Sequence, residues 1–188
     1  MRKILQIILR WEARWILWKY KPRIVAVTGS VGKTSTKEAI FTVLQDSFRV
    51  RKSEGNLNTE IGVPLTIIGF PSGKGSYLRW LAIIFAGLRQ VFFKIIYPEI
   101  LVLEYGADRP GDIKYLVENF APTIGVVTAI GKTPVHLEFY KDRQQLVAEK
   151  ANLIKSLPAT GVAVLNADDK DVAEMKFLTK GEAVTFGL

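Results

Sequence analysis

The chain has 188 residues, 48% of them hydrophobic and 23% charged, which suits one ordinary globular domain with a substantial core. It has no cysteine, which excludes a disulfide framework and cysteine-ligated zinc and fits a reducing compartment. The net charge of +8 favours anionic ligands, but no RNA- or DNA-binding motif accompanies it, so nucleic acid is not an expected partner.

Residues 1–20 read as a helix. Ile4, Ile8, Trp11, Trp15 and Trp18 fall on one stripe with Ile7 beside it, and Leu5, Leu9 and Ile16 form a second. Arg10 and Arg14 flank the tryptophans, and Lys3, Lys19 and Lys21 add charge. Two readings stand side by side: an interfacial helix with tryptophans at headgroup depth, or a helix packed on the domain. Charges interrupt the apolar run, and no small-residue cleavage site follows, so it reads neither as a membrane span nor as a signal peptide. Pro22 ends the helix.

Ile24 to Thr28 is an apolar, β-branched run that reads as a strand covered on both faces. It leads into Gly29-Ser30-Val31-Gly32-Lys33-Thr34-Ser35, and then into helical spacing from Lys37 to Leu44. A strand, a glycine turn and a helix start bring backbone N–H groups and a positive dipole end to one point, which is a phosphate site. In such a loop Lys33 reaches the β/γ-phosphates and the Thr34 hydroxyl sits on Mg²⁺. The spacing is G-x-x-G-K-T rather than G-x-x-x-x-G-K-[ST], because Val27 stands where the longer motif has its first glycine.

Phe48 to Arg51 reads as a short strand, and residues 54–64 as a polar loop whose asparagines also suit plain turns. After the loop Pro71 to Ser76 comes a second apolar, aromatic stretch, Tyr77 to Tyr97, interrupted by Arg79, Arg89 and Lys94. Three cations argue against a span and for a buried or membrane-surface helix. With residues 1–20 it makes two basic, aromatic-rich helices, so peripheral membrane contact through residues 1–20 and 77–97 is an expectation.

Ile100 to Leu103 is a buried strand ending in Glu104, and a carboxylate at the C-terminal edge of a parallel sheet is where a phosphate-loop enzyme holds Mg²⁺. Pro110-Gly111 is a turn before an amphipathic helix through Ile113, Leu116 and Val117. A third strand follows at Ile124 to Thr128, a helix at Gln144 to Leu157, and a fourth strand at Gly161 to Leu165. His136 is the sole histidine and reads from its surroundings as a loop residue, whereas Lys150 reads as an ordinary helix-surface lysine. The alternation of strand and helix predicts an α/β fold of the phosphate-loop type, a doubly wound, mostly parallel sheet flanked by helices. The organisation read from the chain is a basic amphipathic helix over 1–22 and one nucleotide-binding unit over 23–188.

Six segments in order carry a family resemblance: Thr28 to Ser35, Gly55 to Leu65, Leu103 to Ala107, His136 to Glu138, Ala148 to Lys150 and Leu165 to Asp169. Together they resemble the central ATPase domain of the Mur ligases, over about residues 23–187. The resemblance implies an ATP-dependent amide ligase of peptidoglycan precursor synthesis. Its substrates would be a UDP-muramoyl peptide and a D-alanyl-D-alanine dipeptide, joined through an acyl phosphate, in the cytoplasm.

The resemblance also implies roles for particular residues. Gly29, Ser30, Val31, Gly32, Lys33, Thr34 and Ser35 would cradle the ATP phosphates and Asn58 would contact the nucleotide. Thr34 and Glu104 would hold one Mg²⁺ and His136 a second. Lys150 would carry CO₂ as a carbamate facing the metal. Lys33, His136 and Lys150 are thus the catalytic candidates. The family's sugar-binding N-terminal domain and its C-terminal domain have no counterpart in these residues, so the chain reads as a fragment. Two other readings keep the fold: a related ligase with a folate, cyanophycin or lipid-linked muramoyl substrate, and a non-catalytic nucleotide-binding module at a membrane surface.

Overall fold

A computed structural model describes residues 2–131 and 139–188. Six strands form one sheet in the order β2-β3-β1-β4-β5-β6, and every pairing is parallel. The strands are β1 (Arg23–Thr28), β2 (Val50–Lys52), β3 (Ile100–Glu104), β4 (Ile124–Val127), β5 (Val162–Asn166) and β6 (Glu182–Phe186). The helices between them are α1 (Arg2–Tyr20), α2 (Lys33–Leu44), α3 (Gly62–Ile68), α4 (Tyr77–Phe92), α5 (Asp112–Asn119), α6 (Arg143–Lys155) and α7 (Lys170–Glu174). Parallel neighbours require such crossovers.

The central strands are apolar throughout because both their faces are covered. Ile24, Ala26, Leu101 and Leu103 share one core with residues of α1, α3, α4, α5 and α6. The alternate residues Val25, Val27, Ile100 and Val102 form a second core against Ile40 and Leu44 of α2. The distribution is lopsided, with α2 alone among the described helices packed on that second face. Beside α2 a hollow of about 490 Å³ remains open, lined by Val43, Ile124, Val164 and Phe186 among others.

Residues 1–20 fold into the domain. Leu9, Ala13 and Ile16 are completely buried in the larger core. Each fully buried leucine or isoleucine there contributes roughly 1.5–3 kcal/mol. The stripe carrying Trp11, Trp15 and Trp18 faces outward. The apolar stretch from Tyr77 is helical only to Phe92, started by Ser76, whose hydroxyl accepts from the Arg79 N–H. The strand expected at Phe48 lies at Val50–Lys52. β6 was not anticipated from its sequence, and it closes the sheet along β5 with all five residues exposed.

Candidate functional site

The turn after β1 requires its glycine. Gly29 has φ 149°, and a Cβ there would lie 2.0 Å from Thr128 Oγ1. Gly32 follows at φ 84° and starts α2. The N–H groups of Ser30 and Val31 both donate to the Ala129 carbonyl, which pins the turn to the end of β4. Thr128 Oγ1 lies within hydrogen-bond distance of the Thr28 and Val31 carbonyls, at 3.1 and 2.6 Å. With the first two amides committed, the anion-facing donors are those of the first turn of α2, which have no intrahelical acceptor. Ser30 Oγ is buried among them without a hydrogen-bond partner.

Glu104 ends β3 beside this turn and is 4% exposed. Its carboxylate accepts from Thr34 Oγ1 at 3.2 Å and from Asn58 Nδ2 at 3.1 Å. Its backbone N–H donates to the buried Ser53 hydroxyl at 3.1 Å. Asn58 reaches Glu104 because its own carbonyl accepts from the Gly106 N–H, tying the asparagine loop to the end of β3. Four of the residues singled out from sequence, Gly29, Gly32, Thr34 and Glu104, thus share one sheet edge, and Asn58 joins them through Glu104.

Lys150 is not the surface residue its surroundings in the sequence suggest. It is 3% exposed on the inner side of α6, and its Nζ donates to the Gly29 carbonyl at 2.9 Å. Burial, reinforced by the Lys33 ammonium, pushes its amine down to about 7, while Asp108 and Glu149 pull the other way. Its neighbour Glu149 accepts from the N–H groups of Ile113 and Lys114 at the start of α5, which locks α6 in rotation. Lys33 itself is half-buried at the first position of α2, and Ser35 is exposed. His136 lies outside the described residues.

Two further residues at this edge, Lys37 and Ser53, escaped the sequence reading. Lys37 is 1% exposed, one turn after Lys33, with its Nζ 3.8 Å from Glu104 and 3.6 Å from Glu38. The helical offset of four was the available signal. Ser53 carries no signal beyond its place at the end of β2. Asp169 accepts from the N–H groups of Ile130 and Gly131, and Arg143, ion-paired with Asp171, donates to the Gly131 carbonyl. Together they clamp the strand end from which the residues toward His136 depart.

A pocket of about 580 Å³ lies past the end of β3, lined by Arg2 and Gln6 of α1, Thr59, Glu60, Gly106 and residues 108–112 among others. The edge therefore offers helix-end donors, a hydroxyl beside a carboxylate, two lysine amines and an adjoining pocket with charges of both signs. That set can hold a polyphosphate and a hard cation next to a second ligand. Among the described residues, no group of three or more His, Cys, Asp or Glu is placed to hold a metal by itself.

Comparison with known proteins accords with this geometry. Residues 27–78 and 86–188 match the family model described as the Mur ligase middle domain. The UDP-N-acetylmuramoyl-tripeptide–D-alanyl-D-alanine ligase of Bacillus subtilis is 31% identical over 157 residues, 84% of this chain and 29% of that protein. The ligase of the same name from Mycobacterium bovis is 34% identical over 161 residues, 86% of this chain and 26% of that protein. Among solved structures, the MurF ligase of Thermotoga maritima in complex with ADP superposes with a TM-score of 0.73 at 33% identity, covering 97% of this chain and 36% of that one. MurF of Acinetobacter baumannii, at 23% identity and a TM-score of 0.75, shares the fold. The chain spans roughly a third or less of the length of these relatives. Matched over most of its residues by that family model, the chain belongs to the Mur ligase family, as its middle domain.

Proposed function

We propose that this chain is the ATP-binding part of a ligase that joins D-alanyl-D-alanine to the peptide of a UDP-muramoyl substrate. The observation that carries the reading is the meeting of the Gly29–Ser35 turn, Glu104 and Lys150 at one sheet edge, in a chain whose relatives bear that name.

The chemical problem is charge. A carboxylate is a poor electrophile, and it repels the γ-phosphoryl group it must attack. The helix-end amides of Gly32 to Ser35 and the Lys33 ammonium hold the phosphates and draw off negative charge as the γ-phosphoryl transfers. The acyl phosphate so formed is attacked by the amine of the dipeptide, which expels phosphate. The pocket past the end of β3 is the place for the acceptor carboxylate, with Arg2 and Arg109 on its wall. Asn58 contacts the nucleotide in addition to bracing Glu104.

Magnesium fits the residues present. It binds through one or two carboxylates together with phosphate oxygens and water, and Thr34 and Glu104 supply a hydroxyl and a carboxylate 3.2 Å apart. Bound there, Mg²⁺ supplies neutralisation of the β- and γ-phosphates. Lys150 is the candidate for a carbamate. Its neutral amine adds to CO₂, releases a proton and becomes an anion, and an amine near pH 7 reacts as the free base far more readily than an exposed lysine. His136 is assigned to a second Mg²⁺ on the family resemblance. We place the protein in the cytoplasm, against the inner membrane face.

The test is ATP-dependent phosphate release by the protein that carries this domain. Release should require both UDP-muramoyl tripeptide and D-alanyl-D-alanine, and should not respond to folate plus glutamate. Release indifferent to the muramoyl substrate and the dipeptide refutes the assignment. The chain alone should bind ADP with Mg²⁺ in calorimetry.

A further inference from the structure

The two helices α1 and α4 lie side by side and run the same way. Glu12 of α1 meets Gly87 of α4, where a Cβ would come within 2.2 Å of the carboxylate. One and two turns on, Lys19 Nζ and the Tyr20 hydroxyl reach the carbonyls of Gln90 and Phe93 at 2.8–3.1 Å. The inner faces of this pair are in the core. The outer faces are apolar and open. On α1, Ile4, Trp11, Trp15 and Trp18 are 63%, 45%, 44% and 68% exposed. On and just after α4, Leu78, Phe85, Phe92 and Ile96 are 79%, 67%, 71% and 85% exposed. The three tryptophans stand ring against ring, with centroids 5.9 and 5.4 Å apart, and with Ile7, Arg10 and Arg14 they line a hollow of about 440 Å³. A contiguous apolar face of this kind marks a surface that something covers.

Charge indicates what covers it. Residues 1–20 and 77–97 hold eight of the 26 Lys and Arg of the chain and one of its 18 Asp and Glu, so the remainder of the chain is close to neutral. That one acid is Glu12, which is completely buried between the helices. Burial pushes its carboxyl up to about 8, so it adds little negative charge to the face. The outer face is therefore apolar and cationic with no exposed carboxylate. Two such faces repel each other, which argues against a second copy as the occupant. No described helix is long and apolar enough to cross a membrane. Tryptophan rings with flanking arginines suit the one environment that is apolar below and anionic above.

We propose that the outer face of α1 and α4 docks on the interface of an anionic bilayer, its tryptophans at headgroup depth and Arg10, Arg14, Arg79 and Arg89 against lipid phosphates. This deepens the localisation proposed above and is independent of the ligase reading. The N-terminal end of α1 carries Arg2 and Gln6 into the pocket past the end of β3. The pocket thus adjoins the helix that bears the tryptophan face.

The test is co-sedimentation of the chain with vesicles of phosphatidylcholine alone and of phosphatidylcholine with phosphatidylglycerol. Binding should be at least tenfold stronger to the anionic vesicles and should fall in high salt. Three of the four tryptophans lie on the face, so brominated lipids should quench most of the intrinsic fluorescence without any substitution. The exposed-site variants Trp15→Ser with Trp18→Ser, and Arg14→Glu with Arg89→Glu, should each lose tenfold or more in vesicle affinity while keeping ADP binding. No binding to anionic vesicles, or binding untouched by both pairs of substitutions, overturns the proposal. Concentration-dependent dimerisation abolished by the tryptophan substitutions, without vesicle binding, assigns the face to a second copy instead. Phosphate release is read separately, so failure of the ligase assignment leaves this outcome intact.

Discussion

Two carboxylates are almost equally buried in this molecule, and their surroundings are opposite. Glu104, 4% exposed at the end of β3, has donors from Thr34 and Asn58 and the Lys37 ammonium 3.8 Å away. Glu12, 0% exposed between α1 and α4, has no hydrogen-bond partner at either oxygen. Burying a charge without partners is costly, so the protein either surrounds the group with donors or keeps it protonated. At the sheet edge it spends three side chains, Thr34, Lys37 and Asn58, on one carboxylate. At the helix contact it spends none. The difference separates a region built to hold a reactive anion from one built to pack.

The contrast implies that substitutions at the edge cost function with little loss of fold, and that neutralising the helix contact improves the fold with little loss of function. The largest effect expected is from Lys33→Ala, which removes the phosphate-facing ammonium and should lower phosphate release by roughly 10²–10³-fold. An unchanged rate would remove Lys33 from the chemistry. Lys150→Ala should cost on the order of 10²-fold by the same reasoning, with partial recovery when acetate or another short carboxylate is added. Absence of recovery counts against the carbamate and not against the family. Glu104→Gln should weaken Mg²⁺-dependent ADP binding by about 10–100-fold in calorimetry while leaving metal-free binding nearly as it was. Equal losses with and without Mg²⁺ would make Glu104 a brace for the loop only.

Glu12→Gln is the smallest expected effect and has the opposite sign. Burial raises the folded pKa to about 8 from 4.5. The unfolded chain therefore releases this proton at a pH where the folded chain still holds it. The contribution of Glu12 to stability is complete below about pH 4.5 and is lost as the pH rises to about 8. Gln imitates the protonated form and cannot ionise. The variant should match the parent at pH 4 and exceed it at pH 8, by on the order of a few kcal/mol or roughly 5–10 °C in melting temperature. Parallel melting curves across that range would mean that Glu12 finds a partner in solution.

Much of the fold was legible in local pattern. β1, β3, β4 and β5 fall within a residue or so of their apolar runs, because a strand buried on both faces has no polar residue to blur it. Glu104 stood out because an acid directly after four apolar residues has few explanations. What local pattern lacks is the identity of the neighbour. The periodicity of α1 shows two apolar stripes and not which is inside, since the Leu9–Ile16 stripe is chosen by α3 and α4, tens of residues away. Lys150 looks like any helix lysine until α6 turns it toward Gly29, 121 residues earlier in the chain. Lys37 is hidden in the same way, by its contact with the end of β3. β6 went unread because its exposed, mixed residues lack the signature of the central strands, and its place is set by pairing with β5 alone.

The lysine that caps α4 has a consequence for synthesis. Lys19 Nζ bonds the carbonyls of Gln90, Val91 and Phe93, the first of them 71 residues later in the chain. At 5–20 residues per second, these partners of Lys19 leave the ribosome roughly 4–14 s after α1 itself. During that interval α1 is a cationic, tryptophan-bearing amphipathic helix with its inner stripe also uncovered. It is at its stickiest before the domain exists, so a nascent chain can meet lipid or a chaperone before it meets its own fold.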